Sequence, residues 1–165
     1  MSAESQVGPA RVAYLRLGRQ EGALPSTIPA YAPWRRLREG TGPVVIACGP
    51  IALALLPAAS ELPADPEVWG VSELRSDALT PPAVILDRLR GGAALVVVEE
   101  HGAQGGVGSR LALALLARGV APRRFGHLHA RGYPSGRYGS QAFHRRESGI
   151  DPAAIAASIQ DLAHA

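Results

Sequence analysis

The strongest constraint on what this chain can become lies in residues 95–120, LVVVEEHGAQGGVGSRLALALLARGV. Residues 93–98 form an unbroken apolar run rich in valine and preceded by Gly91 and Gly92. That is the pattern of a short strand buried on both faces of a sheet. Glu99, Glu100 and His101 follow where such a strand would emerge. Gly102, Gly105, Gly106 and Gly108 then let the backbone turn sharply and pack closely, since none carries a Cβ. Val107, Leu111, Ala114, Leu115 and Arg118 recur at helical spacing, and Gly119 is placed to end the helix. Strand, glycine loop and helix make half of a parallel α/β unit, at the sheet edge where such proteins keep their working surfaces.

The rest of the 165 residues, one domain by length, continues the alternation. Strands are expected over 34–38 at an edge, 43–48 (PVVIAC), 67–71 (EVWGV) and 123–129. Helices are expected over 51–62 and from the Pro81-Pro82 pair through Leu89. A last helix has Asp151 as N-cap and Pro152 at its first position, after an irregular tract over 130–149. Strands alternating with helices predict a parallel sheet with helices on both faces. The N-terminal part fits less well. VAYLRLG, within residues 9–18, alternates like a strand and carries Arg16, but a proline-dotted stretch over 22–33 separates it from the domain. Such a strand needs a sheet that the following residues do not obviously supply.

Charge and composition exclude more than they assign. The net charge of +3 is carried by arginine, with no lysine present. The pairs Arg35-Arg36, Arg123-Arg124 and Arg145-Arg146 are dispersed and lack interleaved aromatics or a helix-turn-helix, so nucleic acid is not an expected partner. No apolar run is long enough to span a bilayer, and the first residues lack a secretion-signal order, so a cytoplasmic protein is expected. Cys48 is the single cysteine, which rules out an internal disulfide and fits a small buried apolar side chain.

Each chemical candidate has a plainer reading. The 102–108 loop resembles a phosphate cradle, but it matches neither G-x-G-x-x-G with its acidic follower nor a Walker A, so close strand-to-helix packing is favoured. Glu99 and Glu100, adjacent on a strand end, point to opposite faces and make no facing dyad. With His101 they are assigned to structure or a subunit contact. His127 and His129 share one strand face, and His101 and His144 offer further ligands, yet these do not form a closed zinc set, and no metal is expected. Tyr133, Arg137, Tyr138, Phe143, Arg145 and Arg146 crowd one irregular tract, a composition enriched at protein contacts. Arg19 follows Gly18 where the first strand pattern ends. Its guanidinium, like that of Arg16, suits a bidentate hold on a phosphate or carboxylate.

Taken in order, these pieces resemble the end of a transketolase-type thiamine diphosphate enzyme, from about residue 9 to the C-terminus. The resemblance is carried by VAYLRLGRQ, the linker, LREGTGPVVIACGPIALALLPAASEL, LVVVEEHGAQGGVGSRLALALL and GIDPAAIAASIQDL. Its most diagnostic piece is the glutamate-rich strand end followed by Gly-Gly-x-Gly. The run GVSELRSDALTPP departs from the Pro-Leu-Asp turn usual in the family.

The resemblance implies a three-layer α/β/α C-terminal domain over 34–165. Its five-stranded mixed sheet would have the order 1-3-2-4-5, with strand 1, residues 34–38, antiparallel. Residues 1–20 would be the last strand of a preceding pyrimidine-binding domain, and 21–33 a linker. Arg19 matches the arginine that holds the sugar phosphate. The family's Gly-Asp-Gly diphosphate motif does not occur here, and the glutamate that activates the aminopyrimidine would lie upstream. Thiamine diphosphate and its Mg²⁺ or Ca²⁺ would therefore sit on partner subunits carrying the diphosphate- and pyrimidine-binding domains. The chain would be the C-terminal subunit of a split transketolase, inactive alone and dimeric within the complex. Two other readings stand beside it. One is the tail of a 1-deoxyxylulose-phosphate synthase or of a 2-oxoacid dehydrogenase β subunit; the other is a non-enzymatic α/β module that binds a partner.

Overall fold

The computed structural model describes residues 28–55, 61–74 and 79–164. Five strands, β1 (Trp34–Arg38), β2 (Val44–Cys48), β3 (Glu67–Val71), β4 (Leu95–Glu99) and β5 (Phe125–His129), form one sheet in the order β1-β3-β2-β4-β5. β1 runs antiparallel to β3, and the other pairs are parallel. The mixed sheet implied by the resemblance is therefore present, in its order and its one reversed strand. The helices are α1 (Pro50–Leu55), α2 (Ala83–Arg90), α3 (Val107–Leu116), α4 (Gln141–Ser148) and α5 (Pro152–His164).

Alternation along each strand divides the core into two layers. Val44, Ile46, Leu95 and Val97 meet Ile85 and Leu89 of α2 and Val107, Leu111 and Leu115 of α3. Val45, Ala47, Val96 and Val98 meet Ile51 and Leu55 of α1 and Ile155 and Ile159 of α5. β2 and β4 are central and covered on both faces, which is why their sequences are apolar without interruption. Each fully buried Val, Leu or Ile among them contributes about 1.5–3 kcal/mol.

The structure departs from the sequence reading in three places. The helix expected over 51–62 is described as far as Leu55, and Leu62 is a buried residue outside any helix. β5 starts at Phe125, two residues later than expected. The tract read as irregular over 130–149 contains α4. Ser140 caps that helix by accepting from the Phe143 N–H at 3.2 Å, and Gly149 ends it at φ +67°, a conformation that favours glycine. Helical periodicity did not reveal α4 because Ser148 is its one buried residue. The last helix is capped as expected, with Asp151 Oδ1 accepting from the N–H groups of Ala153 and Ala154. The strand pattern containing Arg16 and Arg19, and the linker as far as residue 27, lie outside the described residues.

Candidate functional site

Two groups of side chains stand at the C-terminal end of the parallel strands, where this kind of sheet usually presents its chemistry. The first is centred on Glu99, the last residue of β4, which is 0% exposed. Its Oε2 accepts from the Val107 N–H at 2.7 Å and its Oε1 from the Gly108 N–H at 2.8 Å. Both are first-turn donors of α3, which have no partner within the helix. His127 Nε2 lies 2.7 Å from Oε1, and since a carboxylate can only accept, Nε2 is the protonated nitrogen. His101 Nδ1 lies 3.3 Å from Oε2. Burial raises the Glu99 pKa, but the N–H groups of Gly108 and Val107 and the His127 ring outweigh it and hold the carboxyl below the ordinary glutamate value.

The glycines of the loop make this arrangement possible. A Cβ on Gly106 would fall 2.6 Å from Glu99 Oε1 and from the Gly102 carbonyl oxygen. One on Gly108 would fall 2.4 Å from the His127 ring. The packing reading of the loop thus holds: its donors face a carboxylate of the same chain. This also corrects the interface assignment of Glu99, which has no exposed surface to offer a partner.

Glu100 points the other way, as expected for neighbours on a strand. Its Oε1 accepts from Arg145 Nε at 2.8 Å and from Gln141 Nε2 at 3.0 Å, fastening α4 to the end of β4. Beyond this clasp, residues 131–140 are all exposed, Tyr133 by 65% and Tyr138 by 94%. Tyr133 packs near Tyr138 (6.1 Å between centroids) and edge-on to His144 (5.2 Å), and Phe143 also meets His144 edge-on. The structure therefore gathers Glu100, Tyr133, Arg137, Tyr138 and Phe143 into one region. His101 belongs to the Glu99 cluster. The tie between positions 99 and 127 was missed from sequence; Gly108, beside which the ring lies, was its one trace.

The α3 N–H groups that would meet a diphosphate are occupied by Glu99. Among the described residues no group of three His, Cys, Asp or Glu side chains could hold a metal ion. At the opposite end of the sheet, Arg88 lines a cleft, but it donates to the carbonyls of Gly40 and Thr41 at 2.9 and 2.8 Å and also to that of Gly42. That guanidinium is bracing backbone. No helix among the described residues is long and apolar enough to cross a membrane.

The architecture can be set beside solved proteins. The chain superposes on a split-gene transketolase, described as an inactive β4 tetramer, with a TM-score of 0.63 at 19% identity. The match covers 86% of this chain and 45% of that one. The fold is that of a transketolase C-terminal-type domain. In sequence, the chain is 31% identical over 161 residues to 1-deoxy-D-xylulose-5-phosphate synthase of Chlorobium luteolum (strain DSM 273 / BCRC 81028 / 2530). That alignment takes in 94% of this chain but 24% of the synthase, so the chain spans about a quarter of this relative's length. No protein-family model matches it.

Proposed function

We propose that this transketolase C-terminal-type domain is the C-terminal subunit of a split, cytoplasmic transketolase that moves a two-carbon ketol unit between phosphorylated sugars. Partner subunits with the diphosphate- and pyrimidine-binding domains bind thiamine diphosphate and Mg²⁺ or Ca²⁺, and the complex is dimeric. The coenzyme, held there, supplies the carbanion chemistry. This chain adds subunit contacts and, at the substrate mouth, Arg19 and Arg16. The observation that carries the reading is the likeness of fold to a split-gene transketolase over 86% of the chain. Occupation of the α3 N-terminus by Glu99 supports a role in assembly over one in coenzyme binding.

The test is to mix the purified chain with polypeptides carrying the two coenzyme-binding domains and assay ketol transfer. Activity in the mixture alone is expected; activity of the isolated chain would overturn the reading. The 31% identity to a 1-deoxyxylulose-phosphate synthase favours a second reading, a tail of such a synthase. Formation of 1-deoxyxylulose 5-phosphate by the mixture, without ketol transfer between sugar phosphates, would select it. In the active complex, Arg19→Ala should raise KM for phosphorylated acceptors and leave non-phosphorylated ones nearly unchanged. Equal effects on both would remove Arg19 from the substrate mouth.

A further inference from the structure

Residues 131–146 contain Arg131, Arg137, Arg145 and Arg146 and no Asp or Glu. Arg145 is committed to Glu100. Arg131, Arg137 and Arg146 form no ion pair among the described residues, and Glu147, the next acid along the chain, accepts from the Ser135 hydroxyl at 2.7 Å. Three arginines of the tract thus have no ion-pair partner among the described residues, and its two tyrosines are exposed to water. The segment nevertheless has a defined shape. Gly136 N–H donates to the Tyr133 carbonyl at 3.0 Å, Arg131 N–H to Ser148 Oγ at 3.2 Å, and the Glu100–Arg145 clasp anchors α4 behind it. An ordered segment that keeps large aromatics exposed has already met much of the conformational cost of binding. Tyrosine and arginine are also the side chains that most often anchor protein interfaces.

We propose that this tract is the docking surface for an acidic segment of the companion polypeptide, with Tyr138 as the anchor and Arg131, Arg137 and Arg146 meeting its carboxylates. The proposal rests on the reading above that such a companion exists, and adds the chemistry of the partner. Charge complementarity selects an acidic occupant: four arginines of the tract face two carboxylates, Glu100 held by Arg145 and Glu147 held by the Ser135 hydroxyl, which leaves the surface net positive. Arginines flanking tyrosines would also attract a nucleic acid, and the experiment separates the two.

The full chain is titrated with the companion carrying the diphosphate- and pyrimidine-binding domains, at low and at high salt, and separately with oligo(dT). Tyr138→Ala should weaken the complex by roughly 10- to 100-fold. Arg137→Glu with Arg146→Glu should weaken it more at low salt than at high, where exposed charges are screened. All variants should melt like the wild type. Companion binding by wild type and variants alike, or an effect of charge reversal that is the same at both salts, overturns this inference alone. Tighter binding of oligo(dT) than of the companion, lost in the same variants, overturns it in favour of nucleic acid. Failure of the wild-type chain to bind the companion removes the split-enzyme reading and this inference together.

Discussion

The loop after β4 and the tract after β5 leave the same end of the same sheet, yet they have opposite characters. In the first, a buried carboxylate, two helix N–H groups and a histidine satisfy one another, and glycines bring them within hydrogen-bond distance. In the second, tyrosines and arginines stay exposed on a segment fastened at both ends. The contrast teaches that a loop rich in glycine and acid can resemble a ligand cradle while its donors are already engaged. The exposed tract, whose tyrosines and arginines are not engaged in this way, is the surface to test for a partner.

That contrast can be broken most forcefully at Glu99. Glu99→Ala leaves two buried N–H groups and His127 without their acceptor, and should cost about 3–5 kcal/mol in chemical denaturation. A loss below about 1 kcal/mol would mean that the loop does not depend on the carboxylate. Gly108→Ala comes next, at about 1–3 kcal/mol, because its methyl group meets the His127 ring. Adding His127→Ala makes room for that methyl, so the double variant should lose less than the sum of the two single changes.

A pH series sharpens the same point. The native Glu99 pKa is depressed, so its contribution is fully present above the ordinary glutamate range and is lost as pH falls through the lowered native value. The stability gap between wild type and Glu99→Gln should therefore be largest near neutrality and shrink on acidification. A gap that widened in acid would contradict the hydrogen-bonded carboxylate. The smallest effect belongs to the exposed tract: Tyr138→Ala should change stability by no more than about 0.5 kcal/mol, since the ring is 94% exposed. A larger loss would show that the tyrosine braces the fold.

Sequence alone determined the elements whose signals are local. The uninterrupted apolar runs of β2 and β4 required strands covered on both faces, and Asp151-Pro152 carried the start of α5 in its own chemistry. The opposite directions of Glu99 and Glu100 followed from the pleat. Strand order came from the ordered set of motifs shared with a family, since periodicity does not say which strands are neighbours.

Tertiary structure decided whatever depended on residues far apart in the chain. α4 has no apolar stripe to announce it, and Glu100, 45 positions before Arg145, helps to hold it. Whether Glu99 faced a partner or its own protein depended on β5 bringing His127 alongside and on two glycines leaving room. A sequence can show that glycine is present, but only the packed chain shows which atoms occupy the space its missing Cβ leaves open.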